Sequence, residues 1–188
     1  MRYAKSFLMV IAAGHLAIPA SMIHRQETTL SQGRAYKFKT RPVDPYDAFR
    51  GRYVALAFEQ EHAPWRGTNP VPYRVRGYAG VVEGPDGFAV VREVSQQPPA
   101  TGDFFKVQVN PGWGTNTGMA YFTMPFDRYY MEETKAPQAE RAYWEQSNRR
   151  GQTNLSTYAV VRVRNGHAAL ADLYLAGKPI NQHVKSQP

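Results

Sequence analysis

"STYAVVRVRNGHAALADLYL", residues 156–175, decides the fold. Two apolar runs flank Asn165-Gly166, the dipeptide best suited to a two-residue type I′ turn, because both central positions of that turn need positive φ. The stretch therefore reads as an antiparallel hairpin closing the chain. Upstream, "YRVRGYAGVVE" and "FAVVREVSQ" flank "GPDG" at 84–87, a second hairpin by the same turn chemistry. Further strands are predicted at 35–41, at "YVALAFEQ" (53–60) and at "FFKVQVN" (104–110). "EHAPWRGTNPVP" (61–72), with three prolines and a glycine, reads as a loop, as does "PGWGTNTG" (111–118). One helix is expected late in the chain, at "APQAERAYWEQSNRRG" (136–151), with Pro137 in its first turn and Gly151 after its end.

The composition agrees with a β-rich chain. Aromatics make up 13% of the 188 residues, and there are 15 glycines and 14 prolines, a mix that favours strands and tight turns over a helical bundle. The length suits one domain with an appendage. No cysteine is present, which excludes disulfides, thiolate metal sites and cysteine nucleophiles. Of the formal charge of +8, Arg2, Lys5 and Arg25 flank the first apolar run, and the remaining +5 is spread thinly. Its densest cluster, Arg34, Lys37, Lys39 and Arg41, alternates with Ala35, Tyr36, Phe38 and Thr40 and reads as the wet face of a strand. A nucleic-acid groove would need a longer basic stripe with stacking aromatics, so no nucleic-acid partner is expected.

The first residues suggest an address. Arg2 and Lys5 precede an uncharged run from Ser6 to Ile23, long enough to cross a bilayer core as a helix, which takes roughly 17–25 residues. Cleavage after Ala20 or Ala17 would place Ile18 or His15 where a small residue is wanted, so an uncleaved anchor is favoured over a signal peptide. Charge placement then predicts a cytoplasmic N-terminus with the remainder outside the cytoplasmic membrane. The expected organisation is a membrane anchor and stalk over 1–33, with Gly33 as the helix stop, followed by a single barrel- or sandwich-like domain over 34–188. The fold class expected is mainly β (α+β), with an N-terminal transmembrane helix and one late helix.

Chemistry is less legible. The five histidines (His15, His24, His62, His167 and His183) form no ligand spacing, and neither glycine-rich loop matches a phosphate loop, so no metal and no cofactor are expected. The notable stretch is "RPVDPYDAFRGRYVAL", residues 41–56. Asp44 and Asp47 lie three apart, with Arg50 and Arg52 as available partners. Paired carboxylates can do acid–base work when burial separates their pKa values. They can equally cap a turn, Asp44 accepting from the backbone N–H of Tyr46 or Asp47, with Gly51 giving a sharp entry into the strand at Tyr53. The structural alternative is favoured.

This stretch resembles the signature of the GDYXXLXY family of membrane-anchored proteins. Pro42, Val43, Asp44, Pro45, Asp47, Phe49, Arg50, Gly51, Tyr53, Val54 and Leu56 match its pattern. "YFTMPFDRYYMEE" is similar to the family's aromatic segment, and "VVRVRNGHAALADLYLAGKPI" to its closing hairpin. Two positions depart: Arg52 replaces the naming aspartate, and Phe58 the final tyrosine. The resemblance implies a location and an association with other membrane proteins, and no reaction.

The function expected is therefore a membrane-anchored, extracytoplasmic accessory or scaffolding protein, non-enzymatic, reaching the bilayer through residues 6–23 and binding an integral membrane protein or envelope partner. Its contact surface is expected at Asp44, Asp47, Arg50, Arg52 and Tyr53 and along Phe122, Phe126, Tyr129 and Tyr130, where arginines and aromatics are the usual anchors. Core packing is the alternative for the aromatic segment. The rival functions are a small-ligand or lipid binder with an apolar cavity inside the β domain, and an envelope hydrolase using Asp44 and Asp47.

Overall fold

The computed structural model describes residues 2–41, 53–112, 118–132, 135–136, 138–139, 141–143 and 157–183. Helix α1 (Arg2–Gln32) leads into β1 (Arg34–Arg41), β2 (Tyr53–Ala55), β3 (Ala57–Phe58), β4 (His62–Arg66), β5 (Val75–Glu83) and β6 (Ala89–Ser95). There follow β7 (Asp103–Pro111), β8 (Met119–Thr123), β9 (Arg128–Tyr130), β10 (Tyr158–Arg164), β11 (His167–Leu175) and β12 (Lys178–Pro179), with a 3-10 turn at Ile180–Gln182.

The closing hairpin forms as its turn predicts, β10 against β11, with Asn165 at φ 48° and Gly166 at φ 77°. β10 also pairs with β1, which makes it the middle of a five-stranded sheet ordered β12-β11-β10-β1-β3. Along β11 the ladder steps from Val160↔Asp172 to Val161↔Leu170, so Ala171 is an extra, bulged residue. The bulge reverses side-chain parity. Ala168 and Leu170 pack on the core before it, and Leu173 and Leu175 do so after it.

The second layer is a closed five-stranded barrel, ordered β4-β6-β5-β7-β8. The predicted hairpin at 84–87 joins β5 to β6, with Gly84 N–H donating to Phe88 O at 2.7 Å. Ala63, Trp65, Ala79, Val81, Val91, Val94, Phe105, Val107, Val109, Ala120 and Phe122 are all buried in alternating rows, and they fill this small barrel. Gly77 marks a close approach: a Cβ there would stand 2.6 Å from Val109 Cγ2. Phe38, Phe58, Phe105 and Phe126 join barrel to sheet, with ring centroids 5.2–6.2 Å apart in tilted or edge-on contacts.

Several expectations are corrected. Residues 61–72 are not all loop, because β4 closes the barrel between β8 and β6. Trp65 N–H donates towards β8, to Gly118 O at 2.7 Å, so position 64 faces the other way, where β6 pairs only from Trp65 onward. Pro64 therefore forfeits no ladder bond. Residues 53–60 are two strands rather than one, because the chain changes partner at Leu56, from β9 to β1.

The expected transmembrane helix is also overturned: among the described residues no helix is long and apolar enough to cross a membrane. α1 is long, but Gly14, His15, Pro19 and Ser21 dilute its apolar run and its last turns are polar. Those last turns instead pack on β10 and β11, and the helix stops as expected at Gly33, whose N–H donates to Thr29 O at 2.9 Å. Helical backbone is present at the described residues between 136 and 143, where Ala139 N–H donates to Lys135 O at 3.0 Å. The rest of the expected late helix lies outside the described residues.

Candidate functional site

Of the residues singled out around 41–56, Tyr53 is placed, while Asp44, Asp47, Arg50 and Arg52 lie outside the described residues. Tyr53 opens β2, which pairs with β9 in a two-stranded ribbon (Tyr53↔Tyr130, Val54↔Tyr129, Ala55↔Arg128). The end of the Asp-Pro stretch and the aromatic segment, more than 70 positions apart in sequence, are thus brought together.

Alternation along the ribbon divides its residues. Val54 is fully buried and Tyr129 half-buried on the inner side, whereas Tyr130 is 67% exposed. On the outer side Tyr53 and Tyr130 meet edge-on at 5.6 Å, and the Arg128 guanidinium lies 5.1 Å from the Tyr53 ring centre. Arg128 Nε is 3.7 Å from Asp127 Oδ1. A hydrogen bond with Tyr130, and then the Asp127 charge, hold the Arg128 pKa above its already high value, so it is a permanent cation. Phe122 and Phe126, expected at the contact surface, are core residues instead. The segment obeys its core-packing alternative up to Phe126, while Tyr130 stands exposed.

The inner tyrosine is locked in place. Tyr129 donates to Asp172 Oδ1 at 3.2 Å, and Asn181 donates to the Tyr129 oxygen at 3.5 Å. Burial, then the charge of Asp172 and this hydrogen bond, push its phenol up to about 12. Tyr129 therefore stays protonated at neutral pH and cannot serve as a base there. Arg128, Asp172 and Asn181 were not singled out from the sequence. Arg128 could have been, since it lies in the quoted aromatic segment; Asp172 and Asn181 gave no local signal. Among the described residues no group of three or more histidines or carboxylates is arranged to hold a metal ion.

The motif itself has an architectural job. Leu56 N–H donates to Asp127 O at 2.8 Å and Glu59 N–H to Lys39 O at 3.2 Å, so residues 53–59 carry the chain from the ribbon to the sheet. Leu56 and Phe58 are buried there, and Phe58 brings no hydroxyl needing a partner into the phenylalanine cluster. These features define a solid barrel-and-sheet domain with an arginine–tyrosine ribbon on its surface. The family model of the GDYXXLXY protein matches residues 15–173, from within α1 to β11, and the chain belongs to that family. No curated protein and no solved structure matches it.

Proposed function

We propose that this protein is a non-enzymatic accessory subunit that docks a protein of the cell envelope through the outer face of the β2–β9 ribbon. The observation that carries this is the Tyr53–Arg128–Tyr130 cluster. Tyrosine and arginine dominate the energetics of protein contacts because they combine large rigid area with polar tips. Here they stand together at the surface on a paired strand rather than on a loop. The large apolar side chains of α1 give concordant support: Phe7, Met9, Leu16, Ile18, Met22 and Ile23 are 64–75% exposed. Apolar surface of that extent is characteristic of a face covered by a partner, which suggests a partner with an apolar flank. A ligand held inside the barrel is disfavoured, because its inward positions are filled by side chains.

The test is site-specific photocrosslinking from position 130 of the full chain in its native cells. One stoichiometric partner should be captured, and lost when Arg128→Ala is added to a protein that still melts cooperatively. Capture that is unaffected by Arg128→Ala, or no capture from folded protein, refutes the ribbon as the docking face.

A further inference from the structure

Away from the ribbon, the cleft where α1 meets the turn of the closing hairpin gathers positive charge from separate parts of the chain. It encloses about 540 Å³ and is lined by His24 and Arg25 of α1, Lys106 of β7, and Arg164, Asn165 and His167 of the hairpin. No carboxylate is among the described residues that line it.

The backbone explains the convergence. Phe105 bridges to Gly166, and Lys106 N–H donates to Gly166 O at 3.2 Å, which seats β7 under the turn. Gly166 is required for this approach, since its φ is 77° and a Cβ would come 2.9 Å from Phe104 Cε2. Arg162 donates to Gly33 O at 2.9 Å, and Thr29 is buried, which lays the end of α1 across β10 and β11. Arg164 and His167 then face each other where the hairpin turns.

What sets this place apart is that three cations line one cleft with no acid among them. Several cations elsewhere stand beside acids: Arg34 near Glu83 and Asp103, Lys39 with Asp86, Arg41 with Glu61, Arg66 with Glu93. Arg25, Lys106 and Arg164 have no such acid among the described residues. Gathering like charges without a counter-charge raises the local potential and attracts an anion. The cleft already feels that field, because burial and then the charges of Arg25 and Lys106 hold His167 below the usual histidine range.

We propose that this cleft binds a phosphate group, held by Arg25, Lys106 and Arg164 with the Asn165 amide as a neutral donor. Guanidinium forks match phosphate oxygens two at a time, and the lysine adds a point charge from a different direction. The phosphate can belong to a soluble molecule or to a phospholipid headgroup. Ile18, Met22 and Ile23, all exposed, neighbour the cleft residues Ser21 and His24 and would suit the acyl part of the latter.

The experiment is a titration of the full-length protein at constant ionic strength, followed through the His167 imidazole resonances. One arm uses inorganic phosphate against chloride; the other uses vesicles of phosphatidylglycerol in phosphatidylcholine against phosphatidylcholine alone. A bound phosphate opposes Arg25 and Lys106, so it should raise the His167 pKa, and Arg25→Gln or Arg164→Gln should weaken binding about tenfold. Lys106→Gln is the second route, and Arg76→Gln, on the outer side of β5, should bind as wild type. Saturation by inorganic phosphate supports the soluble source, and a response confined to phosphatidylglycerol vesicles supports the headgroup. No response of His167 in either arm, or equal affinity for wild type and the three cleft variants, overturns the proposal.

Discussion

Two aromatic clusters in this molecule are assembled from neighbouring stretches of chain, and they do opposite things. Phe38, Phe58, Phe105 and Phe126 pack edge-on in the interior, each buried, where barrel and sheet meet. Tyr53 and Tyr130 also pack edge-on, at 5.6 Å, but beside a guanidinium at the surface. Phe126 and Tyr130 are only four residues apart. The difference lies in what surrounds each ring rather than in the ring contact. Phenylalanines from three strands and the β8–β9 link exclude water from one another, whereas the ribbon has one buried side and one wet side. An aromatic-rich segment is thus not one kind of object, and its two halves should respond to substitution in different currencies.

The largest effect is expected in the interior. Phe105→Ala should lower the stability of the fold by about 3–5 kcal/mol, read as a shift of the urea midpoint, because it empties the junction of the two layers. A loss under about 1 kcal/mol would mean that the layers are held together elsewhere. Tyr129→Phe tests the joint between ribbon and sheet. It should cost about 1 kcal/mol, since the hydroxyl pairs with Asp172, while Asp172 keeps the Leu173 N–H at 2.8 Å.

The same hydroxyl predicts an alkaline limit. Tyr36 donates to Asp103 at 2.7 Å, and its phenol, like that of Tyr129, is pushed up to about 12. The folded state thus holds protons that an unfolded tyrosine releases from about 10 upward. The stabilisation from these two phenols is complete below pH 10 and is lost as pH rises towards 12. Tyr129→Phe should flatten part of that decline in a series of alkaline melts. Tyr130→Ala should do least to stability, staying within about 0.5 kcal/mol of wild type, while losing the envelope partner from a pull-down of the full chain. A comparable stability loss at Tyr130 and Tyr129 would erase the distinction between the ribbon's two faces.

The local parts of this fold are the legible ones. Asn165-Gly166 and "GPDG" each specify a turn by backbone chemistry, and the flanking alternation supplies the strands. β1 is legible for the same reason, and three of its four clustered cations, Arg34, Lys39 and Arg41, are ion-paired at the surface. What was not legible depends on partners distant in sequence. β4 looks like a loop because Pro64 counts against a strand unless the direction of its missing N–H is known. The break at Leu56 is a change of neighbour, which no alternation records. The bulge at Ala171 keeps its apolar residues but reverses which positions face inward. The cationic cleft draws on α1, β7 and the closing hairpin, and its three cations, Arg25, Lys106 and Arg164, lie more than 50 positions apart in the sequence.

The pairing of β1 with β10 carries a consequence for the making of this protein. Thr40 N–H donates to Thr157 O at 3.1 Å, and their hydroxyls meet at 2.9 Å, across a sequence separation of 117 residues. During synthesis, α1 and β1 leave the ribosome well before β10, their main neighbour. At ordinary elongation rates that wait is on the order of 10 s. Throughout it, one edge of β1 is without its strand and the end of α1 without its seat. The barrel strands β4 to β8, in contrast, find their pairing partners within one another and are all made before β10. The nascent chain therefore needs β1 kept from other edges until the β10–β11 hairpin emerges.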